Sequence, residues 1–283
     1  MDKKTFWVVG GDRRQLALAR LLGEDGHRVH TFALGPGSER SLEGIGRADC
    51  VVLPVPASGA DGMVPAPLGA GEGCPVEMVL DALSAGQLVC AGMAGEELCT
   101  AAAARGLVLV DYFQREDLTV MNAVATAEGA IQLAMEELPV TLCGARALVV
   151  GFGRIGRLLA PRLAALGAEV TAAARRGEQR ALARAMGLRA AGTEHMARIL
   201  HSCTLAVNTA PAMVLGREEL AALPEDALVI DLASPPGGVD FAAARALGVN
   251  ALWARGLPGR VAPVSAAGYI RDAVYHIMEE LGV

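Results

Sequence analysis

Six residues near mid-chain, Gly151-Phe152-Gly153-Arg154-Ile155-Gly156, have the types and spacing that hold a diphosphate. Between a strand and a helix, Gly151 permits the tight turn, Gly153 lets a pyrophosphate approach the backbone, and Gly156 lets helix and strand pack closely. The anion then meets free N–H groups and the positive end of a helix dipole. With 34 glycines in 283 residues the pattern alone is weak, so its flanks decide. Ala145 to Val150 reads as a buried strand. Ile155, Leu158, Leu159, Leu163 and Leu166 then recur at helical spacing until Gly167, and a strand follows over Glu169 to Ala173. Pro161 inside that helix predicts a kink.

An NAD-specific site places an acid about 20 residues beyond the glycines, on the ribose 2′-hydroxyl. That stretch reads Ala172-Ala173-Ala174-Arg175-Arg176. A guanidinium pairs bidentately with a 2′-phosphate and has no such match in a bare hydroxyl, so NADP is favoured over NAD. The plainer reading is that the two arginines begin a solvated helix, since Gly177, Glu178, Gln179 and Arg180 continue a polar run. Farther on, one strand runs into Asn208-Thr209-Ala210-Pro211 and another, ending at Leu232, into Ala233-Ser234-Pro235-Pro236-Gly237-Gly238. Both turns belong at the carboxyl edge of a sheet, where small residues leave room for a nicotinamide ring.

The elements that would position these residues alternate strand and helix, the pattern of an α/β protein with parallel sheets. Phe6 to Val9 leads into Gly10-Gly11-Asp12-Arg13-Arg14-Gln15, a second strand-turn-helix unit. Gln15 replaces a fingerprint glycine there and Asp12 would repel phosphate, so this turn is read as part of a substrate domain, not a dinucleotide site. A strand over Asp49 to Leu53 precedes a Gly- and Pro-rich loop, Gly59 to Pro75, expected to be either a mobile cover or a plain surface insertion. Helical patterns cover 76–84 and 96–105, with strands over 88–91 and 107–110. Two Rossmann-like doubly wound domains follow: 1–119 for substrate, a connecting helix at 120–139, 140–263 for NADP, and a helix at 264–283 returning to the first domain so that both border one cleft.

A net charge of −6 and scattered arginines exclude a nucleic-acid partner. No apolar run of membrane-spanning length and no signal-peptide pattern is present, which points to the cytoplasm. The six cysteines form no CxxC pair and read as small core residues, so no metal site is expected.

Several segments taken together resemble the family of dipicolinate synthase A subunits, across nearly the whole chain. They are Gly10-Gly11-Asp12 with Arg14-Gln15, Leu53-Pro54, Glu128-Gly129, Gly151 to Gly156, Asn208-Thr209 with Pro211, Asp231 to Ser234 with Pro236-Gly237-Gly238 and Asp240-Phe241, and Gly256 to Gly259 with Val261-Ala262-Pro263. Val264 and Ala267 depart from the Lys and Gly expected in the last motif. The resemblance implies NADP-dependent oxidation of dihydrodipicolinate to dipicolinate in the mother cell of a sporulating bacterium, in partnership with a flavoprotein-like B subunit. Self-association into a homo-oligomer is also expected. Because the product ring is aromatic, positioning would matter more than a strong base. Arg14, Ser58, Asn122, Thr126 and Ser234 are candidates to hold the two carboxylates. Asp12, Glu128 and Asp231 are candidates to take the proton, and Asp12 and Glu128 can equally serve as a cap or backbone anchor. Asp231 is assigned to the fold.

Two alternatives stand beside this reading. A D-2-hydroxyacid dehydrogenase shares the layout, but it needs a His and an Arg where this chain has Ala262-Pro263-Val264-Ser265 and Ser234-Pro235-Pro236-Gly237. A non-catalytic NADP-binding subunit, whose partner carries the chemistry, is the other.

Overall fold

The structure, a computed structural model, describes residues 2–69 and 73–283. Its contacts divide the chain into two compact units, residues 1–122 with 262–283 and residues 123–261. Each is an α/β unit built on a wholly parallel sheet.

The first unit runs β1 (Thr5–Val9), α1 (Arg13–Glu24), β2 (Arg28–Phe32), β3 (Cys50–Val52), α2 (Val76–Asp81), β4 (Leu88–Ala91), α3 (Glu96–Ala104) and β5 (Val108–Asp111). The strands lie in the order β2-β1-β3-β4-β5. Alternate residues enter opposite cores, as the pleat requires. Phe6, Val8, Cys50, Val52, Leu88 and Cys90 pack beneath α1, whereas Trp7, Val9, Val51, Leu53, Val89 and Ala91 pack beneath α2 and α3. Both faces are covered, so the strands read as continuous apolar runs.

α4 (Glu116–Glu137) carries the chain from the first unit into the second. It is not a separate connector over 120–139. Its start lies four residues earlier because Glu116 and Asp117 in the first turn complement the dipole, and Asp117 accepts a 2.8 Å bond from the Leu118 N–H. Its first turns belong to one unit and the rest to the other.

The second unit then runs β6 (Arg146–Val150), α5 (Arg154–Ala165), β7 (Glu169–Ala173), α6 (Gly177–Ala185), β8 (Arg189–Ala191), α7 (Met196–Leu200), β9 (Leu205–Asn208), α8 (Arg217–Ala221), β10 (Leu228–Asp231), α9 (Phe241–Leu247), β11 (Asn250–Trp253) and α10 (Leu257–Val261). The strand order is β11-β10-β9-β6-β7-β8, the doubly wound arrangement that reverses between β6 and β9. α5 contains Pro161 within its run. Gly129 on α4 lets Leu257 and Val261 approach, and an added Cβ would lie 3.1 Å from each. The chain finishes with α11 (Pro263–Leu281), which starts one residue before the expected 264 because Pro263 suits a first helical turn. Its Ile270, Val274, Ile277 and Met278 share a core with Leu18 and Leu22 of α1.

Of residues 59–75, where the sequence suggests either a mobile cover or a plain surface insertion, 70–72 lie outside the described residues, and the others are anchored at several points. The Val64 N–H donates to the Cys74 carbonyl at 2.8 Å and the Val76 N–H to Gly62 at 3.0 Å, and Val64 is fully buried. The segment covers the turn after β1, where the Gly11 N–H donates to the Pro65 carbonyl at 2.6 Å. No helix among the described residues is long and apolar enough to cross a membrane, and no group of three or more His, Cys, Asp or Glu there could hold a metal ion.

Candidate functional site

The fingerprint forms the turn from β6 into α5. Gly151 has φ +92°, and a Cβ on it would lie 2.5 Å from Thr209 Oγ1. A Cβ on Gly156 would lie 2.2 Å from the Gly151 carbonyl oxygen, so only glycine lets the helix start this close to the strand. Gly153 is the opposite case, with nothing within 4 Å of the position a Cβ would take. It is the N-cap of α5, and no side chain caps that helix. An open cradle at an uncapped helix start suits a diphosphate, which would take the end-of-helix N–H groups as partners. Phe152 is fully buried, so it can offer only backbone, and its carbonyl is held by Arg157 Nε at 3.1 Å. Arg154 is exposed at the mouth of the turn and Ile155 packs against the core.

Arg175 and Arg176 follow β7 on the same carboxyl edge, and both are exposed. Arg176 Nη1 lies 3.5 Å from Glu178 Oε1 with both side chains largely in water, a weak pair that an incoming phosphate can displace. Arg180, which the sequence places only in a polar run, braces this turn. Its Nη1 donates to the Ala174 carbonyl at 2.9 Å and the Arg175 carbonyl at 2.7 Å.

Two further strand ends are locked together by side chains that are fully buried, Asn208 of β9 and Asp231 of β10. Asn208 Nδ2 donates to Asp231 Oδ1 at 2.7 Å and to the Ala210 carbonyl at 3.0 Å, while its Oδ1 accepts from the Ala210 N–H at 3.0 Å. Its amide is spent on the turn, so the part expected of Asn208 toward a cofactor becomes one of placing Thr209, Ala210 and the exposed Pro211. Asp231 also accepts from the Ala233 N–H at 3.0 Å and the Gly238 N–H at 2.8 Å. A Cβ on Gly237 would lie 2.9 Å from Asp231 Oδ2, and one on Gly238 would lie 2.3 Å from Asn208 Nδ2. The paired glycines are there because the chain folds directly over this buried pair. Trp253 Nε1 donates to the Ala233 carbonyl at 3.0 Å, Leu232 and Ala233 are buried, and Ser234 is exposed. Partners 23 residues apart in sequence leave no local signal of their bond.

The turn from β1 into α1 is built differently. Asp12 caps α1 by accepting from the Arg14 N–H at 2.9 Å, and Gln15 Oε1 accepts from the Asp12 N–H at 3.2 Å to complete a capping box. The Asp12 carboxylate also takes Arg14 Nε and Nη2 at 2.9–3.2 Å, and Nη2 donates to the Val55 carbonyl at 3.0 Å. Burial pushes the Asp12 carboxyl up, but the bonds and charge of Arg14 outweigh it and hold the group below its ordinary range. Such a carboxylate is a poor proton acceptor. Beside it the Tyr112 hydroxyl donates to the Leu53 carbonyl at 2.9 Å, and burial raises that phenol far above its usual range.

Of the other sequence candidates, Ser58 is half-buried three residues beyond Val55. Asn122 and Thr126 share a face of α4 at i, i+4 spacing. Glu128, two residues on, projects from the opposite side of the helix and is exposed. Asp12, Arg14, Ser58 and Asn122 belong to the first unit, Thr126 and Glu128 to the second.

Known proteins match both units. Residues 5–113 match the N-terminal domain of the dipicolinate synthase A subunit, and residues 105–243 match the NAD binding domain of D-isomer specific 2-hydroxyacid dehydrogenases. The dipicolinate synthase A subunit of Bacillus subtilis (strain 168) is 32% identical over 97% of this chain and 95% of its own. The crystal structure of the dipicolinate synthase A subunit from Bacillus halodurans superposes with a TM-score of 0.88 at 30% identity, covering 97% of each chain. That of its counterpart from Bacillus subtilis gives 0.87 at 31% identity, covering 100% of this chain and 98% of the other. A transhydrogenase from Sinorhizobium meliloti, at 19% identity and a TM-score of 0.74 over 96% of this chain and 84% of its own, shares the fold.

Proposed function

The chain belongs to the family of dipicolinate synthase A subunits, and from that premise we propose that it oxidises dihydrodipicolinate to pyridine-2,6-dicarboxylate with NADP during spore formation. The coarser statement, a dehydrogenase-like protein with an NAD-binding type of domain, needs no proposal. The observation that carries the finer one is the uncapped, open turn at Gly153 with Arg175 and Arg176 exposed beyond the neighbouring strand.

In this reading the start of α5 binds the diphosphate, and the two arginines bind the 2′-phosphate. The small residues at Thr209, Ala210, Ala233 and Ser234 leave a floor for the ring. NADP, when bound, supplies the hydride acceptor. The substrate loses one hydride and one proton, and aromatisation drives both losses, so a group that holds geometry contributes more than a strong base. No side chain is assigned to take the proton, since Asp12 is committed to Arg14 and Glu128 lies on the side of α4 opposite Asn122 and Thr126. Arg14 Nη1 makes none of the bonds that occupy the rest of its guanidinium, and it remains a candidate for one substrate carboxylate. A flavoprotein-like B subunit in the same cytoplasm is the proposed partner, and self-association is proposed with it. Among candidate readings, a 2-hydroxyacid dehydrogenase is disfavoured because Ala262 to Ser265 and Ser234 to Gly237 lack its His and Arg.

The test is formation of reduced nicotinamide from NADP and aldolase-generated dihydrodipicolinate, measured with and without the B subunit. Reduction by this chain alone establishes a catalytic subunit. Reduction only with the partner moves the chemistry to the complex, and no reduction in either case overturns the proposal.

A further inference from the structure

Among the described residues, Asp231 is the one fully buried carboxylate. Its partners are Asn208 Nδ2 and the N–H groups of Ala233 and Gly238, at 2.7, 3.0 and 2.8 Å. All three donate to it, the pattern an ionised carboxylate takes, and all three are neutral. Buried charges are ordinarily paired with an opposite charge, because neutral hydrogen bonds offset only part of the cost of leaving water. Fixing the two turns requires acceptors on both carboxylate oxygens. It does not require a net charge there.

The position of that charge is informative. In a doubly wound sheet the two halves of a dinucleotide lie on either side of the point where strand order reverses, here between β6 and β9. The diphosphate turn and the arginines are on the β6 and β7 side, which leaves β9 and β10 for the nicotinamide half. The carboxylate sits at the end of β10, directly bonded to the first N–H of the turn that would floor that half. The ring is cationic when oxidised and neutral when reduced. A fixed negative charge whose hydrogen-bond partners are all neutral discriminates between those two forms.

We propose that Asp231 is an electrostatic positioning residue that makes the site prefer the oxidised cofactor, so that the oxidised form is held before reaction and the reduced form leaves after it. This rests on the dinucleotide reading above. At an effective permittivity of ~20, opposite unit charges ~10 Å apart shift an equilibrium by about tenfold, which sets the expected size.

The experiment measures Kd for NADP⁺ and NADPH on the purified full chain by calorimetry, for the wild type, Asp231→Asn and Asn208→Ala. The wild type should bind the oxidised form about tenfold more tightly. Asp231→Asn should bring the two affinities together, mainly by weakening the oxidised form. Asn208→Ala loosens the same turns while keeping the charge, and should weaken both forms alike with their ratio preserved. Equal weakening of both forms by Asp231→Asn would reduce the residue to scaffolding and overturn the proposal. If that variant does not fold, judged by loss of its melting transition, the wild-type ratio decides: equal affinities or a preference for NADPH overturns the idea, and a clear preference for NADP⁺ supports it. Failure of the wild type to bind either form is a separate result, and it sinks the dinucleotide reading itself.

Discussion

The two strand-to-helix turns of this chain, Gly10 to Gln15 and Gly151 to Gly156, occupy equivalent places in their sheets and are finished in opposite ways. At the first, two side chains and a carbonyl fill the helix start: Asp12 caps it, Gln15 closes the box, and the Pro65 backbone carbonyl takes the Gly11 N–H. At the second no side chain does, and the space above Gly153 is open. Both turns are rich in glycine and both follow a buried parallel strand. What separates them is whether side chains satisfy the helix N–H groups or leave that helix start uncapped, the state an anion site requires. The same contrast applies to charge, since a carboxylate stands at the first turn and exposed guanidinium groups stand near the second.

The strongest way to break the comparison is to make the second turn resemble the first. Gly153→Asp places a capping carboxylate in open space. Dinucleotide affinity should fall by at least about a hundredfold, from a like charge set against the diphosphate and from lost N–H partners. Stability should hold or rise, because a new cap is worth ~1 kcal/mol, about 2–4 °C in Tm. A titration paired with a melt checks both, and unchanged affinity would place the diphosphate elsewhere.

Removing the arginines sharpens the contrast. The double replacement of Arg175 and Arg176 by Ala should weaken NADP binding by at least about tenfold, since a charge-assisted bidentate pair is worth ~1.5–3 kcal/mol, and should leave NAD nearly unaffected. Equal losses for the two cofactors would show that the 2′-phosphate lies away from this pair.

The first turn should respond in stability alone. A Cβ on Gly10 would lie 2.4 Å from Val64 Cγ1 on a residue with φ +63°. Gly10→Ala should therefore cost about 1–3 kcal/mol in a denaturant melt, with dinucleotide affinity within about twofold of wild type. A large loss of affinity would mean that this turn also reads the cofactor.

The smallest effect concerns acid. The Asp12 carboxyl, held by Arg14 below its usual 3.8, stabilises the fold above that value and loses its contribution as pH falls through the folded value. Melts of the wild type should decline more steeply below about pH 5 than those of Asp12→Asn, which has no charge to lose. Parallel curves would show that the ion pair contributes nothing in solution.

Much of this was legible in residue order. Strand and helix alternation, the three glycines of the fingerprint and the arginines after β7 are local patterns, and each follows from backbone geometry or charge within a few residues. Asp12 was legible as an acid that disfavours phosphate, but its capping bond and its grip on Arg14 depend on a turn seen only in three dimensions. Asn208 and Asp231 were harder still. Their pairing joins two strands, and neighbours such as Thr209 and Leu232 carry no mark of it. The start of α4 was missed because Arg115, Glu116 and Asp117 look like a polar loop when the helix dipole is not considered. The anchoring of residues 59–75 depends on Val64 meeting Cys74 across the loop, a contact that Gly and Pro content conceals.

α11 packs against α1, although the whole second unit lies between them in the chain. During synthesis the second unit is therefore a continuous stretch that can complete its core as it leaves the ribosome. The first unit must wait, with the apolar face of Leu18 and Leu22 uncovered, until the final helix emerges. A stop codon near residue 262 would leave the second unit's own residues intact and release a protein whose older half had never finished folding.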